Sequence, residues 1–133
     1  MGEQRIGVVV ACGRWPSVGT VQRLIDRADL VIACDGALTL CEDHGIHVDV
    51  VVGDMDSVEQ HHLDAYLERG GMQVKRPDQH TNDLAKALVY LEEQGLEACT
   101  VLGATDGDRQ HEWANLLSCA ASSLEITCVG TAY

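Results

Sequence analysis

The sequence predicts an α/β protein: three layers, α/β/α, around a mostly parallel, six-stranded, doubly wound sheet. Three observations carry this. Six short apolar runs punctuate the 133-residue chain, and most are continuously apolar, as parallel strands covered on both faces are. Helical spacing of Leu, Ile and Val occupies the intervals between them. Polar segments, most of them containing glycine, follow the strands, at the edge where open α/β sheets bind ligands.

The strands are expected at Ile6 to Ala11, Leu30 to Cys34, Val48 to Val52, Met72 to Val74, Cys99 to Leu102 and Ile126 to Val129. A first helix begins near Ser17 and runs through Val21, Leu24 and Ile25 to Ala28. A second is expected to start at Ser57, where Ser57 and Gln60 form a capping box, and to stop at Gly70 and Gly71. A third carries Leu84, Leu88 and Leu91 on one face and ends at Gly95. A fourth holds Trp113, Leu116, Leu117 and Ala120. No internal repeat, low-complexity segment or linker interrupts the pattern, so residues 1–133 read as one α/β domain.

With 46% hydrophobic residues the chain can bury a substantial core. It shows no basic, apolar leader and no apolar run long enough to cross a bilayer, which predicts a soluble, unprocessed protein. Nine Lys and Arg stand against 21 Asp and Glu, a net charge of −12. Such a surface repels nucleic acid and anionic membranes, so neither is an expected partner. It also repels a nucleotide triphosphate unless a metal ion and a few placed cations intervene. The six cysteines include no CxxC, and Cys34, Cys99 and Cys128 lie in apolar β-like runs. Free thiols in a reducing, cytoplasmic setting are expected rather than disulfides or a zinc site. His44, His47, His61 and His62 lack a partner cluster at metal-ligand spacing and read as solvated.

The strand exits hold the chemistry. The first leaves through Cys12-Gly13-Arg14, the second through Asp35-Gly36 and the third through Gly53-Asp54-Met55-Asp56-Ser57. The fourth leaves through Lys75-Arg76-Pro77-Asp78-Gln79, with Thr81-Asn82-Asp83 opening the next helix. The fifth leaves through a stretch from Gly103 to His111 that includes Thr105, Gly107 and Arg109. In a parallel sheet these exits share one edge, so acids scattered in sequence converge in space. Mg²⁺ keeps several waters and uses one or two carboxylates together with substrate phosphates, which suits convergent aspartates flanked by glycines. The glycines let backbone N–H groups approach phosphate oxygens, and helix N-termini add positive potential. Each residue also has a plainer role open to it. Ser57 is explained as an N-cap, Asp83 as a first-turn acid and Asp35-Gly36 as a turn. Lys75 and Arg76 read equally as surface charge, and His111 as a helix-capping group. Those roles leave the gathering of acids on one edge unexplained.

Four segments stand in order as DGALT (Asp35 to Thr39), GDMDS (Gly53 to Ser57), PDQHTND (Pro77 to Asp83) and GATDGDRQHEWAN (Gly103 to Asn115). In order and spacing they resemble the catalytic domain of thiamine pyrophosphokinases, and they extend over most of the chain. The resemblance implies Mg²⁺ as cofactor and ATP as co-substrate. It also implies transfer of a pyrophosphoryl group to the thiamine hydroxyl with release of AMP, and a homodimer. Asp35, Asp54, Asp56 and Asp83 match the family's acids for metal and triphosphate. Gln79 matches a polar position near the substrates, and Gly103, Thr105, Gly107, His111 and Asn115 match the nucleotide-side loop. Gly36, Ser57, Arg76 and Arg109 complete the expected nucleotide-binding set, and Lys86 is a further candidate counter-charge. Asp54, Asp56 and Asp83 are the expected catalytic residues. The chain differs from the family pattern at Ala37, Thr39 and Asn82, and in the fifth loop at Asp108, Arg109 and Gln110. A smaller C-terminal β-domain found in family members is absent from these residues. Another acceptor alcohol, such as a hydroxymethyl pterin, and a catalytically silent nucleotide-binding module are the alternative readings. A phosphoacceptor receiver domain fits poorly, since Ala11-Cys12-Gly13 stands where its acidic pair belongs.

Overall fold

The computed structural model describes residues 5–56, 58–78, 82–104 and 109–129, with the backbone alone for 109–112. Six strands form one sheet: β1 (Ile6–Val10), β2 (Leu30–Cys34), β3 (Val50–Gly53), β4 (Met72–Lys75), β5 (Ala98–Leu102) and β6 (Glu125–Val129). Their spatial order is β4-β3-β2-β1-β5-β6, and every neighbouring pair is parallel. The predicted α/β architecture is therefore present. The chain steps outward from β1 to β4, then returns past β1 to lay down β5 and β6, so the winding reverses between β1 and β5.

The two faces are filled by different helices. On one, α1 (Val18–Arg27) contributes Val21 and Ile25, α2 (Leu38–Asp43) contributes Leu38 and Cys41, and α3 (Gln60–Glu68) contributes Leu63 and Tyr66. They pack on Val8, Val10, Val31 and Val51. On the other face, α4 (Asp83–Glu93) lays Leu84, Ala87, Leu88 and Leu91 across β3, β2 and β1, over Val9, Ile32, Val50 and Val52. Alternate residues of each strand serve opposite cores, which is why the central strands read as unbroken apolar runs. Truncating one fully buried leucine of α4 to alanine would cost about 2–5 kcal/mol. No helix among the described residues is long and apolar enough to cross a membrane.

Helix ends follow local chemistry. Ser17 Oγ accepts the Thr20 N–H at the start of α1, and Asn82 Oδ1 accepts the Ala85 N–H at the start of α4. Two expectations need correction, and one helix faces an unexpected way. The second helix does not begin at Ser57: α3 starts at Gln60 with Glu59 at its N-cap, and the Gln60 amide turns instead to Asp64 at 2.8 Å. The chain bends at Met55 and Asp56 after β3, with Met55 at φ 68°. A short 3-10 turn (Asp35–Ala37) and α2 follow β2, where the sequence showed only a turn. In α5 (Arg109–Ala121) the apolar stripe faces outward: Trp113, Leu116 and Leu117 are 65%, 40% and 54% exposed.

All six cysteines are free. Cys34, Cys41 and Cys99 are buried small hydrophobes, and burial pushes the Cys41 and Cys99 thiols up to about 12. Cys128, expected in an apolar run, is exposed because β6 is an edge strand.

The exits of β1 and β5 are locked together by main chain. Ala11 N–H donates to Leu102 at 2.7 Å, and Gly13 N–H to Gly103 at 2.7 Å. Trp15 Nε1 donates to the Ala11 carbonyl at 2.8 Å. Gly103 sits at φ +77°, and a Cβ there would press into the Ala11 carbonyl and lie 2.9 Å from Trp15 Cδ1. Gly103→Ala should cost about 2–3 kcal/mol in urea denaturation, from backbone strain and overpacking combined. A loss below about 0.5 kcal/mol would show that this junction yields.

Candidate functional site

Three carboxylates converge at the carboxyl edge of the sheet. Asp35 follows β2, Asp54 follows β3 and Asp83 is the first residue of α4. One oxygen from each lies within 4.8 Å of those of the other two. The convergence follows from topology: β2 and β3 are neighbours, and the returning α4 starts above them.

Asp35 is the unusual member, fully buried beneath the turn it initiates. Its Oδ2 accepts the Met55 N–H at 2.8 Å, while Oδ1 is buried without a partner among the described residues. Gly53 makes this proximity possible, because a Cβ there would stand 2.8 Å from Asp35 Cγ. The strained φ of Met55 presents its N–H to that carboxylate. Burial, a shared hydrogen-bond position with Asp54 and the charge of Asp83 push Asp35 up to about 7. Asp54 moves the other way: its Oδ1 accepts the Asp56 N–H at 3.0 Å, and that bond, with Asp35 beside it, holds its carboxyl below the usual range.

Asp83 is partly exposed at the α4 N-terminus, where the helix dipole favours an anion. The buried Lys86 ammonium lies 3.9 Å from its Oδ1, one turn along the helix. The trio thus holds more negative charge than its own lysine offsets. Hard oxygen donors, one of them orphaned and buried, fit a divalent cation such as Mg²⁺.

The other expected residues are distributed unevenly. Asp56 is exposed, and its carboxylate is not among the three. Gly36 lies within the 3-10 turn and Gly103 at the β5 exit. Arg76 pairs with Glu93 at 2.5 Å rather than with the acids, and its Nε is buried without a partner among the described residues. Asn115 bridges elements: it accepts from Asn82 Nδ2 at 3.2 Å and donates to the Ala104 carbonyl at 3.0 Å. Ser57, Gln79, Thr105 and Gly107 lie outside the described residues, as do the side chains of Arg109 and His111, whose backbone opens α5.

The sequence reading missed two features. Asn82 is a hub, visible in hindsight as an N-cap residue just before a first-turn acid. Glu59, His61 and His62 also bring ligand atoms within 4.8 Å of one another, although the histidines read as solvated. A separate cleft of about 430 Å³ lies toward the opposite edge, lined by residues that include Glu42, His47, Tyr66 and Arg69. Its Arg69 and Glu42 already pair with each other.

The catalytic-domain model of thiamin pyrophosphokinase matches residues 21–128. The chain belongs to this family. Thiamine pyrophosphokinase 1 of Arabidopsis thaliana is 32% identical over 106 residues, which are 74% of this chain and 39% of that protein. The yeast thiamin pyrophosphokinase structure superposes with a TM-score of 0.78 at 14% identity, covering 98% of this chain and 60% of that one. The Bacillus subtilis thiamine pyrophosphokinase structure gives 0.71 at 18% identity, covering 92% and 60%. The shared fold is that of thiamin pyrophosphokinases, and this chain spans 39% to 60% of the length of these relatives.

Asp35 yields a pH test. Its carboxyl is near 3.8 ordinarily and about 7 in the folded protein, so folding binds its proton more tightly. The stability it contributes is fully present below about pH 4 and is lost as pH rises through about 7. With chelator present, the wild-type denaturation midpoint should fall relative to that of Asp35→Asn between those limits. Parallel pH profiles for the two proteins would contradict this reading.

Proposed function

We propose that this domain binds Mg²⁺ and ATP on the carboxylate trio and transfers the terminal pyrophosphoryl group to the hydroxyl of thiamine, releasing AMP. The observation that carries the proposal is the orphaned, buried oxygen of Asp35 within reach of Asp54 and Asp83. Membership of the family supplies the reaction class.

Pyrophosphoryl transfer asks for placement and charge neutralisation more than for covalent help from the protein. Asp35, Asp54 and Asp83 would hold the cation, and Mg²⁺ when bound neutralises charge on the phosphate oxygens. The Asp35 proton must leave for its carboxylate to serve as a ligand, and a pKa near neutrality makes that displacement cheap. Asp54, held ionised, needs no such step. Lys86 contributes a fixed positive charge beside Asp83. The opening turn of α5, at the β5 exit, offers backbone N–H groups and positive potential to phosphate oxygens. Asp56 is exposed, two residues after Asp54 and outside the trio, and is the carboxylate left to accept the proton of the attacking hydroxyl.

Asp54→Asn and Asp83→Asn should each lower Mg²⁺-dependent AMP formation from ATP and thiamine at least about 100-fold with the fold intact. Chromatographic measurement of AMP, with circular dichroism as the folding check, provides the test. Undiminished turnover in either variant would remove the trio from the reaction.

A further inference from the structure

We propose that Glu59, His61 and His62 form a second, chemically distinct metal site, one that takes a borderline divalent ion of the zinc class. Glu59 Oε2 lies 3.3 Å from His61 Nε2 and 3.3 Å from His62 Nδ1, so a single carboxylate oxygen faces two ring nitrogens. The three ligand atoms all fall within 4.8 Å of one another. A tetrahedral zinc ion with bonds of about 2.0–2.2 Å holds its ligand atoms about 3.3–3.6 Å apart. Two of the three edges of that face already have this length. His61 is 74% exposed at its side chain, so its ring can turn to close the third.

Donor type separates this site from the carboxylate trio. Two imidazoles and one carboxylate favour zinc, cobalt or nickel, whereas three carboxylates favour magnesium. The Thr39 hydroxyl lies 3.4 Å from His62 Nδ1, which brings the segment after β2 to the same point. The location gives the site a consequence. Glu59 ends the loop that begins at Asp54, His61 and His62 lie in the first turn of α3, and Thr39 lies in α2, just beyond the turn that starts with Asp35. An ion there would brace the start of α3 at the end of the β3 exit, taking the place of Thr39 at His62 Nδ1. The positive end of α3 opposes a cation, and the Glu59 carboxylate offsets it.

The test is calorimetric titration of Zn²⁺, and visible spectroscopy with Co²⁺, on the intact protein in saturating Mg²⁺. Wild type, His61→Ala, Glu59→Gln and Cys128→Ser are compared. The expected result is a tetrahedral cobalt spectrum and one zinc equivalent in wild type and Cys128→Ser. In His61→Ala and Glu59→Gln, affinity should drop at least tenfold, and the zinc-induced rise in melting temperature should disappear. Equal zinc binding in His61→Ala, whose exposed site leaves folding intact, would overturn the proposal. Loss of binding in Cys128→Ser alone would overturn it too, by assigning the ion to Cys119 and Cys128, whose sulfurs lie 3.9 Å apart.

Discussion

The burial of Asp35 is the constraint on which the site depends. Placing a carboxylate at zero exposure, with one oxygen unpaired, is costly unless something nearby favours it or it takes up a proton. The protein meets only part of that cost. Met55 donates one N–H from a strained left-handed conformation, and Gly53 gives up its side chain so that the two strand exits can touch. What remains is reflected in a pKa displaced toward neutrality. A sequence that wanted only a stable turn here could have used a neutral residue and avoided the penalty. Strain, a sterically required glycine and an orphaned acid at one point are together what the proposed binding site rests on.

Much of the fold was legible because it rests on periodicity. All six strands and four of the five helices lie where apolar spacing placed them, within a few residues. The failures have physical causes. The helix α2 is only six residues long, too short to develop a periodic signature, and Asp-Gly ahead of it mimics an ordinary turn. The Ser57–Gln60 pair had the right spacing for a capping box, but the loop from Gly53 is shaped by Asp35, a residue 18 positions upstream of that glycine. No local rule can see that. Trp113, Leu116 and Leu117 were placed on a helix, yet sequence does not say which side of a helix meets the sheet.

The site was legible at the level of topology and not of side chains. Parallel strands oblige their exits to share an edge, and that was enough to bring Asp35, Asp54 and Asp83 together. It could not distinguish Asp54 from Asp56, two positions apart. The backbone bond from Asp56 N–H to Asp54 Oδ1 defines a tight turn, and only Asp54 enters the trio. Nor could it foresee Arg76 being drawn to Glu93. In a chain of net charge −12 the few cations are contested, and an exposed carboxylate can claim one as readily as a functional acid.

Asn82 shows how a departure from the family's motif can be absorbed. Here Asn82 Oδ1 accepts both the Ala85 N–H at 2.8 Å and the Ser118 hydroxyl at 3.2 Å, while Nδ2 donates to Asn115. Asn115 in turn holds the Ala104 carbonyl at the exit of β5. The cap of α4, which sets the position of Asp83, is therefore tied through α5 to the loop expected to meet the nucleotide. An amide carries donor and acceptor on one rigid plane, so Asn82 caps α4 and reaches α5 through the same group.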